Sequence, residues 1–146
     1  MKFAVIGAGS WGTTLANLLC ENGHQVRLWA REPEVVAGIN TTHRNPFFVS
    51  HLELNSSLEC TQDLPEALAN AEIALLSIPS GFIRSAIEPH KAQLKNFKGI
   101  VNVAKGFERD SGRRISQVLC DILNLEADSV NDNIASLSGP NLADEV

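Results

Sequence analysis

The stretch that most restricts what this chain can fold into is its first fifteen residues, MKFAVIGAGSWGTTL. Phe3 to Ile6 form a short apolar run that suits a buried parallel strand. Gly7, Gly9 and Gly12 follow at G-x-G-x-x-G spacing, and Leu15, Leu18 and Leu19 then recur at helical spacing. Strand, glycine turn and helix in that order form the dinucleotide fingerprint. Gly7 permits the tight turn, Gly9 leaves the backbone open to a pyrophosphate, and Gly12 lets the helix pack close to the strand. The helix N-terminus offers unpaired N–H groups and the positive end of its dipole to phosphates. All three glycines are therefore candidate cofactor residues.

Composition narrows the reading further. The 146 residues suit one domain with a sizeable core, and 44% of them are apolar. A net charge of −5 argues against a general nucleic-acid surface. No apolar run is long enough for membrane insertion as a helix, and Lys2 is followed by too few apolar residues for a signal peptide. Cys20, Cys60 and Cys120 are far apart and lack C-x-x-C spacing. They read as buried or half-buried thiols in a reducing compartment, which predicts a cytoplasmic protein.

Along the chain, the first helix is expected from about Trp11 to Glu21, ending at Gly23, and Gln25 to Trp29 reads as the second strand. Arg31 and Glu32 follow it. Arg31 can clamp a ribose 2′-phosphate with two parallel hydrogen bonds. Glu32 either holds ribose hydroxyls or serves the dipole of the helix that Pro33 opens. Asn40 to Asn55 reads as a loop that folds over the cofactor, with Phe48 assigned to the nucleotide. His43 and His51, eight apart without nearby carboxylate spacing, read as loop histidines rather than metal ligands. Leu58 to Thr61 is a short strand, and Asp63 with Glu66 makes a capping-box pattern. Ile73 to Ile78 is a central strand ending at Pro79, with Ser80 as N-cap of a helix carrying Phe82, Ile83, Ala86 and Ile87. A charged surface segment spans Lys91 to Lys98. Ile100 to Val103 is a fifth strand delivering Lys105, and Ile115 to Leu123 carries an apolar helical stripe. Ile134 to Leu137 is a sixth strand, followed by Ser138-Gly139-Pro140-Asn141 and the start of another helix.

Alternating strands and helices predict an α/β, Rossmann-type, doubly wound and mainly parallel sheet with helices on both faces. Ligands of such sheets bind beyond the carboxyl ends of the strands. The glycine turn, Arg31, Pro79, Lys105 and Gly139 to Asn141 all fall at those ends. Lys105 suits an anionic or carbonyl-bearing substrate.

GAGSWGTTLA at Gly7 to Ala16, LWAR at Leu28 to Arg31, IPS at Ile78 to Ser80, AKG at Ala104 to Gly106 and SGPNLADEV at Ser138 to Val146 carry a specific resemblance. Together they resemble the N-terminal half of bacterial NAD(P)-dependent glycerol-3-phosphate dehydrogenases, over essentially the whole chain. The resemblance implies an NAD(P)H cofactor and interconversion of dihydroxyacetone phosphate and sn-glycerol 3-phosphate in glycerophospholipid synthesis. It implies that Ser10, Trp11, Arg31 and Ala143 contact the cofactor, that Lys105 meets cofactor and substrate, and that Gly139 and Asn141 line the substrate site. The family often has Ser at the place of Asn141, which still donates and accepts hydrogen bonds. It tends to carry Tyr-Leu-Pro where this chain has Phe48-Val49-Ser50, so a tyrosine hydroxyl contact does not carry over.

The family's chain is roughly twice as long, and its second, helical domain supplies the lysine that moves the proton. On this reading residues 1–146 are the NAD(P)-binding domain of a longer enzyme, with no catalytic acid–base lysine and no metal site of their own. Such a fragment binds nucleotide and turns over poorly, while the full-length protein is a homodimer. Two other readings stand beside it: a stand-alone NAD(P)-binding sensor without chemistry, and another two-domain hydroxyacid dehydrogenase, against which AKG and SGPNLA argue.

Overall fold

The computed structural model describes residues 1–125 and 133–145. Strand β1 (Lys2–Ile6) is the centre of the molecule. Ala4, Val5 and Ile6 are all fully buried, because a parallel strand covered on both faces needs apolar residues of both parities. It pairs in parallel with β2 (Gln25–Trp29), Ala4 opposite Arg27, and with β4 (Ile73–Leu76), Ala4 opposite Ala74. Outside these lie β3 (Glu59–Thr61), β5 (Gly99–Asn102) and β6 (Ile134–Ser136). The strand order is β3-β2-β1-β4-β5-β6, and every pairing is parallel.

The two faces carry separate cores. On one, Val5 and Leu28 meet Leu15 and Ala16 of α1 (Ser10–Glu21) and Val35 and Ile39 of α2 (Pro33–Thr42). On the other, Ala4, Ile6 and Leu76 meet α3 (Leu64–Leu68), α4 (Ile83–Ile87), α5 (Lys91–Leu94) and α6 (Ile115–Leu123). The apolar stripe of α6 is core as expected, with Val118 and Leu119 fully buried. Asn22 caps α1, and Gly23 follows it at φ 78°, the left-handed geometry a helix exit favours. This is the doubly wound arrangement expected from the sequence, all parallel among the described residues.

Several local expectations change. The loop begins only after Thr42, because α2 runs on to His43, its left-handed cap. The capping box at α3 is half formed: Asp63 accepts the Glu66 N–H, but the Glu66 carboxylate takes the Thr61 hydroxyl instead of reaching back. Ser80 makes no cap, since residues 80–82 wind as a 3₁₀ turn before α4 and leave Phe82 63% exposed. The charged segment 91–98 contains α5 and buries Leu94 and Phe97. The last described residues form a 3₁₀ turn, Ala143–Glu145, where a helix start was expected. Val146 lies outside the described residues.

Candidate functional site

The strand order reverses between β1 and β4, and the crevice beyond their carboxyl ends is where such a sheet takes its ligands. A cleft of about 860 Å³ opens there. Its floor is the glycine turn. Gly7 sits at φ 114°, and a Cβ on it would lie 2.7 Å from the Ser77 carbonyl oxygen. Gly12 is closer still: a Cβ there would stand 1.9 Å from the Gly7 carbonyl oxygen. At Gly9 a Cβ would meet nothing within 4 Å, so the missing side chain leaves space in the cleft rather than space inside the protein.

Of the residues picked out from the sequence, Gly7, Gly9, Ser10, Trp11, Arg31, Phe48, Pro79, Lys105, Gly139, Asn141 and Ala143 all line this cleft. Gly12 does not; it serves the packing of α1 against the turn. The cleft also takes in Trp29, Phe82, Leu137 and Leu142, which the sequence reading passed over. Phe82 and Leu142 read as helix residues, and only their exposure, 63% and 59%, marks them as rim. Trp29 is held by its indole N–H on the Gln62 carbonyl at 2.8 Å, and the Gln62 amide donates to the Arg31 carbonyl at 2.8 Å. No periodicity signals such a latch between adjacent strand ends.

The charges are few. Arg31, Glu32 and Lys105 are the ionisable residues among the described cleft lining. Arg31 is not free: its Nε and Nη2 both donate to Glu32 Oε1, at 3.0 and 2.8 Å. Glu32 stands at the backbone N-cap of α2 yet makes no side-chain cap hydrogen bond. Its carboxylate therefore serves Arg31 and does not cap that helix. Lys105 is delivered by a locked turn. The Asn102 amide donates to the Ala104 carbonyl at 3.0 Å, and its oxygen accepts the Ala104 N–H at 3.2 Å. Beyond Gly106, at φ 99°, Arg84 grips Glu108 with Nε at 2.7 Å and Nη2 at 3.2 Å, and also pairs with Asp121 at 2.9 Å. Those hydrogen bonds from Arg84, with a further one from Ser111, hold the Glu108 carboxyl below its usual range.

The three cysteines are free and buried. Desolvation pushes the Cys60 thiol up to about 12, which makes it a packing group rather than a nucleophile. Among the described residues no cluster of three or more His, Cys, Asp or Glu could hold a metal, and no helix is long and apolar enough to cross a membrane.

The sheet order, the glycine turn and the cleft at the switch point define a Rossmann-type domain of the doubly wound class. The chain belongs to the family described as NAD-dependent glycerol-3-phosphate dehydrogenase N-terminus, whose pattern it matches over residues 2–146. It is 45% identical over 152 aligned positions to a glycerol-3-phosphate dehydrogenase [NAD(P)+] of Lacticaseibacillus casei, covering 99% of this chain and 42% of that one. A protein of the same name from Corynebacterium urealyticum is 40% identical over all of this chain and 43% of its own length. The crystal structure of glycerol-3-phosphate dehydrogenase from Coxiella burnetii superimposes with a TM-score of 0.83 at 28% identity, over 99% of this chain and 42% of that one. The chain thus spans well under half the length of these relatives.

Proposed function

We propose that the chain is the cofactor-binding half of a glycerol-3-phosphate dehydrogenase, holding NAD(P)H in the carboxyl-edge cleft for interconversion of dihydroxyacetone phosphate and sn-glycerol 3-phosphate. The observation that carries this reading is the convergence on one cleft of the open Gly9 position, the α1 N-terminus, Arg31 and Lys105. The residues fit the group. Gly9 leaves room where a pyrophosphate would lie, and Ser10 and Trp11 open a helix whose first N–H groups and dipole favour phosphate. Arg31 lines the cleft and is assigned to the ribose end, and Phe48 and Pro79 supply apolar wall. Ala143, tied to α1 through the Thr14 hydroxyl at 3.5 Å, closes the far side.

Bound NAD(P)H supplies the hydride. Lys105, which follows the Ala104 that Asn102 brackets, brings positive charge to polarise the substrate carbonyl and attract its phosphate. Gly139 and Asn141 complete the substrate wall, the Asn141 amide nitrogen lying 3.1 Å from where a Cβ on Gly139 would be. Proton delivery to the forming alkoxide is assigned to the portion of the relatives' length beyond the match. Unpaired buried thiols support a cytoplasmic location, and a homodimer is proposed for the full-length enzyme.

Isothermal titration of the chain with NADH, and separately with NADPH, is the test. One site per chain is expected for each. Absence of binding to both at millimolar nucleotide overturns the reading.

A further inference from the structure

The floor of the cleft and one of its walls come from distant stretches of sequence, the glycine turn and the loop bearing Phe48, and one buried side chain joins them. Asn45 is fully buried. Its amide nitrogen donates to the Ala8 carbonyl at 2.9 Å and to the Thr13 hydroxyl oxygen at 2.9 Å. Its oxygen accepts the N–H groups of Phe47 and Phe48, both at 3.1 Å. An asparagine amide has two donor hydrogens and two acceptor lone pairs, and here all four are used. The orientation is unambiguous, since a flipped amide would set oxygen against the Ala8 carbonyl and NH₂ against two N–H donors. Thr13 adds its own hydrogen bond to the Ala8 carbonyl at 3.2 Å.

The two halves of this network act on the cleft differently. No peptide among the described residues is cis. In a trans peptide the carbonyl and the following N–H point in opposite directions. Holding the Ala8 carbonyl inward therefore turns the Gly9 N–H outward, and Gly9 lines the cleft. On the other half, Phe48 precedes Val49, which sits at φ 47°. A β-branched residue resists that conformation, so local preference alone does not place the loop. The hydrogen bonds that the Phe47 and Phe48 N–H groups donate to the Asn45 oxygen hold the loop just before it.

We propose that Asn45 is a positioning residue for the nucleotide: it sets the direction of the Gly9 N–H and the place of the Phe48 wall as one unit. The proposal rests on the cleft being the NAD(P)H site. Its consequence is energetic coupling between positions 45 and 48, because an Asn45 variant has already released the Phe48 wall.

The test is a double-mutant cycle read as NADH dissociation constants for the parent, Asn45→Ala, Phe48→Ala and the double variant, with melting curves recorded alongside. Asn45→Ala is expected to weaken NADH about tenfold, since it releases both the Gly9 peptide and the Phe48 wall from the side chain that sets them. Phe48→Ala is expected to cost about three- to fivefold, and the double variant no more than about twofold beyond Asn45→Ala. A purely structural Asn45 would lower the melting temperature and leave the affinity of the folded protein alone. Losses that multiply, or an Asn45→Ala chain binding within about twofold of the parent, overturn the proposal. If Asn45→Ala fails to fold, Thr13→Val removes one partner only; a smaller loss, still non-additive with Phe48→Ala, supports the proposal, and parent-like affinity overturns it. A parent that binds no NADH sinks the nucleotide reading and this proposal together. A parent that binds beside an indifferent Asn45 variant sinks this proposal alone.

Discussion

At Gly9 an added side chain would project into open space from an extended backbone, φ −70° and ψ −178°, which valine adopts without strain. At Gly12 even a methyl group would collide with the Gly7 carbonyl. The two positions therefore separate function from folding. Gly9→Val is expected to keep the parent's melting temperature within about 2 °C and to lose NADH binding by about 100-fold or more, as a branched group displaces the pyrophosphate. Gly12→Ala is expected to fold poorly or melt far lower. Circular dichroism melts paired with titration check both, and a Gly9→Val chain that binds normally would show that the phosphates lie elsewhere. Cofactor choice is decided at the same scale. With NAD(P)H placed in the cleft as proposed, a 2′-phosphate competes with Glu32 for a guanidinium that the carboxylate already holds. Arg31 is 81% exposed, so the pair is weakly stabilising and the competition is open. Arg31→Ala is expected to weaken NADPH about tenfold and leave NADH nearly unchanged. Glu32→Gln, by releasing Arg31 and removing a repulsive charge, is expected to tighten NADPH a few-fold. Equal changes for both cofactors in either variant would mean that Arg31 packs against the nucleotide without reading its phosphate.

Among the elements, the segment from Lys105 to α6 depends on charge more than on apolar contact. Phe107 bridges Arg114, Glu108 N–H donates to the Arg113 carbonyl at 2.9 Å, and Arg84 of α4 ties Glu108 and Asp121 together. Glu108 has its carboxyl held below the ordinary value of 4.5, first by Arg84 and then by Ser111. Its contribution to stability is thus complete above that value and disappears as pH falls through the lower, folded one. Glu108→Gln is expected to lower the melting temperature at pH 7, with the gap from the parent closing as pH falls below 4.5 toward the lower, folded value. A gap that persists unchanged in acid would assign the effect to shape rather than charge. Such a network is hard to read from a sequence, because Arg84 and Glu108 are 24 apart and carry no shared pattern. What could be read was what periodicity and covalent geometry dictate. The apolar strand Phe3–Ile6, the glycine turn and the stripe of α6 were legible, as was the edge on which the candidate residues meet; the central strand expected over Ile73–Ile78 was legible too, though it ends at Leu76. The exposure of Phe82 was not, since a 3₁₀ turn replaced the expected helix start at Ser80. Nor was Asn45, a polar residue in a polar stretch, whose burial arises only when α1 and the loop come together.

On the scale of the whole molecule, α1 and α2 cover one face of the sheet, α3 to α6 cover the other, and each face closes its own core. The cleft draws on both halves, with the glycine turn and Arg31 on one side of the switch point and Pro79, Lys105 and Gly139 on the other. A ligand spanning it therefore binds only when both halves are folded, and its binding energy adds to the stability of the entire domain. At a free concentration of 100 times its dissociation constant, such a ligand stabilises the folded state by about 2.7 kcal/mol. For a domain near this size each kcal/mol moves the midpoint by about 2–4 °C, so saturating NADH should raise the melting temperature by about 5–10 °C. Adenosine monophosphate, at the same multiple of its own dissociation constant, should give a shift of the same size, because the domain unfolds as one unit. Gly9→Val should abolish the NADH shift without lowering the starting midpoint. The measurement is a thermal melt with and without each nucleotide at fixed ionic strength. Two separate transitions, only one of them moved by NADH, would show that the halves fold independently and that the cleft does not bridge them.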